Sequence, residues 1–256
     1  MNYSYSYRTD TGNTRKVNQD ALVIKTSRLK TGDALLLAVF DGLGGMDQGE
    51  KMSQAAASMV SQWFDYELNI ISESEDAKTV ILSRLHQLLN NINSYLFYAN
   101  AKAGISGGTT MSMLLLWRDL RFVAHVGDSR IYEITANGIK QLTKDHSWVA
   151  HEVELGHMTE QEAEESNQKH VILQCLGPRE EIVDPQVTCR EGRIPVTYLL
   201  CTDGFWHYSQ PERLMQYFSP AVIRTEQIDE HLEFMISECM YRGEKDNITA
   251  IVAYVS

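Results

Sequence analysis

The sequence predicts an α+β fold in which mainly antiparallel sheets are covered by helices. Three observations carry that expectation. Two strand-like apolar runs, "ALVIKT" (21–26) and "ALLLAVF" (34–40), come early. Two long helical patterns follow, and strands and helices then alternate to the C-terminus. The 256 residues are 43% hydrophobic and 22% charged, enough for one sizeable core. No repeat, low-complexity tract or Pro/Ser-rich linker divides the chain, so a single domain over 1–256 is expected.

From Gln48, apolar residues recur at Met52, Ala55, Ala56, Met59, Val60 and Trp63, which is helical spacing. The polar stretch "ISESEDAK" (71–78) reads as a solvated loop. Beyond it, Ile81, Leu85, Leu88, Leu89, Ile92 and Leu96 share one face of a second helix. "TTMSMLLLW" and "RFVAHVGDSRIYEI" are strand-like runs separated by the turn-like "RDL". "VTYLLCTDG" reads as a strand, "PERLMQYF" and "IDEHLEFMISECMY" as helices, and "NITAIVAYV" as the closing strand.

Charge narrows the functional classes. The formal net charge is −11 with a pI near 5.2, which argues against nucleic acid or anionic membrane as a partner. An anionic substrate must then find local positive charge, from a few arginines or from bound metal. The apolar runs are too short to span a bilayer, and "MNYSYSYRTD" has no basic segment followed by an apolar core. Cys175, Cys189, Cys201 and Cys239 form no CxxC pair and read as small buried hydrophobes in a reducing compartment. The expected location is the cytoplasm.

One grammar repeats along the chain. "LLAVFDG" ends at Asp41, "FVAHVGD" at Asp128 and "YLLCTDG" at Asp203, while the last strand starts from "KDN" at Asp246. A carboxylate at the buried end of a strand is costly unless something pairs with it. Taken singly, each reads equally well as a turn or helix-cap aspartate. Converging together, they would repel and resist ionisation, a conflict that Mg²⁺ or Mn²⁺ resolves by taking oxygen ligands. Zinc is disfavoured, because no closely spaced Cys/His set accompanies the acids. Upstream, "GNTRKVNQDAL" places Arg15 and Asp20 just before the first apolar strand. The planar fork of an arginine suits bidentate phosphate binding, so metals, arginine and oxygen ligands together suggest phosphoester hydrolysis.

Seven blocks carry a family resemblance: "GNTRKVNQDA" (12–21), "VFDGLGGMDQGE" (39–50), "SGGTT" (106–110), "HVGDSRIY" (125–132), "LTKDHS" (142–147), "CTDGFW" (201–206) and "DNITAIV" (246–252). In this order the chain resembles the metal-dependent serine/threonine phosphatases of the protein phosphatase 2C type, in their compact bacterial form. The resemblance implies an α-β-β-α sandwich with a flap at about 147–177 and a two-metal site at one end of its sheets. It implies that Asp41 bridges two Mn²⁺ or Mg²⁺ ions. Asp203 and Asp246 complete one ion's protein ligands, and the carbonyl of Gly42, turned inward by the neighbouring glycines, binds the other. Asp128 matches the position that helps hold a weaker third metal, Asp20 and Gln19 support the ions indirectly, and Arg15 matches the phosphate-clamping arginine. The implied reaction is direct attack by a metal-bridged hydroxide on phosphoserine or phosphothreonine in protein substrates, opposing a bacterial serine/threonine kinase.

The chain also departs from the pattern. Gln19 stands where many relatives have Glu. Leu43 replaces a histidine that animal members use as general acid, as an apolar residue does in bacterial members. His146 is a possible substitute donor, read here as a structural hydrogen bond to backbone. Trp206 either shapes the rim of the site or simply packs. In the flap, His151 and His157 could be read as metal ligands but do not share a helical face, so a polar flap is expected; Lys169 reads as a solvated lysine in preference to a group that recognises an acidic substrate. No cysteine heads the Cys-x5-Arg arrangement of thiol phosphatases. The alternatives are a pseudophosphatase binding module, or a phosphatase of an anti-sigma-factor antagonist or of a small phosphorylated metabolite. Retention of Asp41, Asp203, Asp246 and Arg15 favours catalysis on proteins.

Overall fold

The run Ala34–Phe40 is apolar at every position, and all seven residues are fully buried. A strand reads this way when both of its faces are covered. Leu35, Leu37 and Val39 meet Leu200, Ile251 and Ala253 of a second sheet. The alternate residues Leu36, Ala38 and Phe40 pack beneath helices that carry Val60 and Leu85. On the far side, Leu199, Cys201 and Ala250 meet Phe205, Leu232 and Met235 of other helices. Three apolar interfaces therefore separate four layers, helix–sheet–sheet–helix.

The computed structural model describes residues 2–44, 48–182 and 184–256; residues 45–47 of the "VFDGLGGMDQGE" block lie outside the described set. In chain order the strands and helices begin with β1 (Tyr3–Asp10), β2 (Ala21–Leu29), β3 (Gly32–Phe40), β4 (Gly42–Leu43), α1 (Gln48–Tyr66), α2 (Leu68–Ile71) and α3 (Ala77–Ala103). Then come β5 (Gly108–Thr109), β6 (Met111–Trp117), β7 (Leu120–Val126), β8 (Arg130–Thr135), β9 (Gly138–Gln141), α4 (Trp148–Glu154) and α5 (Glu160–Glu165). The chain closes with β10 (Gln186–Glu191), β11 (Val196–Cys201), α6 (Asp203–Trp206), α7 (Pro211–Phe218), α8 (Ile228–Tyr241) and β12 (Ile248–Val255). One antiparallel sheet has the order β1-β12-β11-β8-β9, the other β10-β7-β6-β3-β2, and β4 pairs with β5 beside them. Among the described residues no helix is long and apolar enough to cross a membrane.

Three features differ from the expectation. "RFVAHVGDSRIYEI" is two strands, since the chain leaves one sheet at Val126 and enters the other at Arg130. Asp128 thus sits at a crossing between the sheets, two residues beyond the end of β7. "YSYSYRTD" forms β1, paired with β12 from Tyr3↔Val255 to Asp10↔Ile248. Residues 147–177 hold two capped helices: Ser147 accepts from the N–H of Ala150, and Thr159 and Glu162 form a reciprocal capping box.

Candidate active site

The fold gathers the acids at one end of the two sheets. Asp41 directly follows β3 and Asp20 directly precedes β2 in one sheet. Asp203 follows β11 and Asp246 stands just before β12 in the other. Backbone clamps fix these ends. The N–H of Asp41 donates to Thr110 Oγ1 (2.9 Å), and its carbonyl accepts from the N–H of Thr110 (2.9 Å) and from Thr109 Oγ1 (3.0 Å). Thr202 Oγ1 donates to Asp20 at 2.9 Å, tying the two sheets' acids together. Asn247 accepts from the N–H of Gln19 (2.8 Å) and donates to the carbonyls of Thr11 (3.0 Å) and Val17 (3.1 Å), so the loop carrying Arg15 is held beside Asp246.

Glycine lets these elements approach. A Cβ on Gly42 would lie 2.3 Å from the carbonyl oxygen of Gly49 and 2.5 Å from that of Gln19; a Cβ on Gly204 would lie 2.2 Å from that of Asn247. Gly42 has no left-handed φ. Its own role in the fold is therefore close approach of β4 to the start of α1, while the positive φ (138°) falls on its neighbour Gly44.

The electrostatics follow from this crowding. Burial, then the charges of Asp203, Asp20, Asp128 and Asp246, hold the Asp41 carboxyl well above the usual carboxylate range. Burial and Asp203 do the same for Asp128, which is 2% exposed. Asp203 is raised by burial against the opposing pull of His207. Asp20 is pushed up to about 7 by burial, despite hydrogen bonds from Thr249 and Thr202. One oxygen each of Asp128 and Asp203 is buried with no hydrogen-bond partner among the described residues. Buried oxygens that resist ionisation and lack partners are the donor set of a hard divalent cation. Arg15 Nη2 donates to Asp246 Oδ2 at 2.7 Å. Arg15, Gly42, Asp41, Asp203 and Asp246 all line one cavity of about 540 Å³, with Gln19 and Leu43 at its wall.

A family model described as protein phosphatase 2C matches residues 12–235. The chain belongs to the protein phosphatase 2C family. It is similar to the serine/threonine protein phosphatase PstP of Mycobacterium tuberculosis, 28% identical over 253 residues, which cover 98% of this chain and 45% of that protein. The chain thus spans about half the length of the first curated relatives it matches. It is also 26% identical to the serine/threonine phosphatase stp of Listeria welshimeri, with 96% of this chain and 93% of that protein covered. Among solved structures, the catalytic domain of the phosphatase PstP in complex with two manganese ions superposes with a TM-score of 0.80. The two are 28% identical, over 98% of this chain and 97% of that one.

Several residues of this protein phosphatase 2C member have structural duties. His146 Nδ1 accepts from the N–H of Gly127 (3.1 Å), and its own N–H and carbonyl bond to Gly127 and Leu173. Trp206 packs: its indole donates to the carbonyl of Asp128 (3.0 Å) and stacks under Arg130. Burial pushes the Cys175 thiol up to about 11 and Cys239 up to about 12, away from any thiolate nucleophile. His157 sits on the surface against Glu152, and His151 is exposed on α4.

Two histidines that line the cavity, His170 and His207, were missed in the sequence. Their donor atoms and a carboxylate oxygen of Asp203 all lie within 4.8 Å of one another. Along the chain no Cys/His set accompanies the acids; in space one does. The available signal was the four-residue spacing from Asp203 to His207, which puts both on one side of a helical turn.

Proposed function

We propose that this protein phosphatase 2C member hydrolyses phosphoserine and phosphothreonine on proteins, with two Mn²⁺ or Mg²⁺ ions as cofactors. The observation that carries the reading is the meeting of Asp41, Asp203 and Asp246 with Arg15 in one cavity. Relatives named as serine/threonine phosphatases, and the PstP domain holding two manganese ions, support it. In this reading Asp41 holds both ions, Asp203 and Asp246 one of them, and the Gly42 carbonyl the other. Asp128 helps hold a weaker third, with Asp20 and Gln19 behind them. Bound there, such cations supply Lewis acidity toward phosphoryl oxygens and bring the pKa of a water toward neutrality.

The protein's own groups do the rest. Arg15 engages Asp246 through one nitrogen, and its remaining N–H groups are the donors for phosphate oxygens. Leu43, at the cavity wall, excludes water from one side but donates no proton. We read residues 147–177 as a flap on a single domain over 1–256. The partner is a phosphoprotein whose serine/threonine kinase the protein opposes, in the cytoplasm, a placement that its four free cysteines support.

The test is hydrolysis of phosphothreonine peptides in Mn²⁺, with and without chelator. Asp203→Ala and Asp246→Ala should each lower turnover by about 10³-fold or more, with circular dichroism unchanged. Near-normal turnover in either variant overturns the assignment.

A further inference from the structure

The cluster of His170, His207 and Asp203 is not explained by the proposed oxygen-ligand centre. His170 lies beyond α5, and the chain just after it is anchored. The N–H of Trp148 donates to the carbonyl of Val171 (2.8 Å), and the N–H of Leu173 to that of His146 (2.7 Å). These bonds hold His170 at the cavity mouth, where it lies with its ring 4.9 Å from that of His207 and at 89° to it. His207 follows α6 and is itself backed by a carboxylate, with Glu244 Oε2 lying 3.5 Å from its Nδ1. The other oxygen of Glu244 is fixed by the N–H groups of Lys245 (2.6 Å) and Asp246 (2.8 Å).

We propose that His170, His207 and Asp203 form a site for a borderline transition-metal dication, with Zn²⁺ as the matching ion, which inhibits the protein when filled. Three physical points lead there. The donors converge within 4.8 Å, while tetrahedral zinc bonds of 2.0–2.1 Å set ligand atoms about 3.3 Å apart. The exposed His170 can close that gap by a small inward movement. Imidazole nitrogen selects zinc, cobalt or nickel over Mg²⁺, which prefers oxygen. Glu244 stands as the carboxylate that holds a ligating histidine: a proton kept on Nδ1 leaves the lone pair of His207 on Nε2.

The consequence rests on the function proposed above, because Asp203 belongs to both sites. A zinc ion there pins residues 167–172 across the cavity mouth and draws Asp203 away from the catalytic cations. The catalytic chemistry would then sense zinc through a flap histidine.

The experiment uses the full chain in excess Mg²⁺, which fills oxygen sites and is spectroscopically silent. Co²⁺ is titrated as the probe, followed by Zn²⁺. The expected result is one Co²⁺ per chain with the visible bands of a histidine-ligated ion, displaced by one equivalent of Zn²⁺. His170→Ala and His207→Ala should each lose these bands and weaken Zn²⁺ binding about tenfold or more. The Zn²⁺ concentration giving half-inhibition of phosphopeptide turnover should rise by the same factor. His170 is exposed, so its variant tests the site without endangering the fold. Bands and inhibition that are the same in wild type and variants overturn the site. Failure of the phosphatase reading is separate: a wild type that shows the bands but hydrolyses no phosphopeptide in Mg²⁺ or Mn²⁺ keeps the site and loses that reading.

Discussion

Arg15 and Asp246 form a 2.7 Å ion pair at the cavity, with the guanidinium about half exposed. The hydrogen bond to Asp246, ahead of the charges of Asp41 and Asp203, raises the arginine's pKa, so it stays charged at any working pH. A clamp used alike in ground and transition states acts on KM more than on kcat. Arg15→Ala should therefore raise KM for phosphopeptides about tenfold with a smaller fall in kcat. Arg15→Lys keeps the charge without the fork and should recover only part of the loss. Steady-state kinetics decide, and an unchanged KM in Arg15→Ala removes the residue from the phosphate contact. At this scale much of the site was legible: each acid alone could be a turn or cap residue, but four acids repeating one position at the ends of apolar runs point to a shared site. His170 and His207 were not, because they become neighbours only when the segment after α5 lies over α6.

The junction of β4 with α1 decides whether Asp41 can stand where it does. Gly49, in the first turn of α1, packs so closely that a Cβ there would lie 2.5 Å from the carbonyl oxygen of Gly42. The listener to that clash is backbone, which cannot swing aside as a side chain would. Gly49→Ala should cost about 1–3 kcal/mol and shift Asp41 and Gly42, lowering both Tm and turnover. Gln54→Ala, on the exposed side of the same helix, should stay within about 0.5 kcal/mol. A Gly49→Ala variant with wild-type Tm and turnover would show that the close approach is not needed. The elements themselves were unevenly legible. The helices α1, α3, α7 and α8 announce themselves by apolar residues three and four apart, and β3, β6, β11 and β12 by continuous apolar runs. β1 has alternating tyrosine and serine with exposed tyrosines, and only its pairing with β12 makes it a strand. The split between β7 and β8 was hidden because apolar character resumes at Ile131 after Gly127–Ser129. The change of sheet there is set by tertiary packing, which no local pattern encodes.

At the scale of the whole molecule, a chain of net charge −11 concentrates carboxylates at one end of its sheets. The folded-state pKa values of Asp41, Asp128 and Asp203 are raised, and that of Asp20 reaches about 7. Unfolded carboxyls titrate near 3.9, so above that pH the metal-free folded protein holds more protons than the unfolded chain. Its stability must therefore fall as pH rises through about 4 to 7. Divalent cations keep the same carboxylates ionised and remove this penalty, releasing protons as they bind. The Tm gap between Mn²⁺-loaded and chelated protein should then widen from pH 5 to pH 8. Calorimetry in buffers of different ionisation enthalpy should detect the released protons. His125, lowered to about 3 by burial, pulls the other way: the unfolded chain takes up its proton below about 6.5, so stability falls toward acid. That contribution is common to both samples and drops out of the gap. Asp41→Asn supplies the internal control. With one charge removed from the crowd, its chelated form should melt higher than wild type at pH 8, while its gain from Mn²⁺ should shrink. A gap that stays flat, or widens toward acid, would mean that the cations bind elsewhere than among these carboxylates.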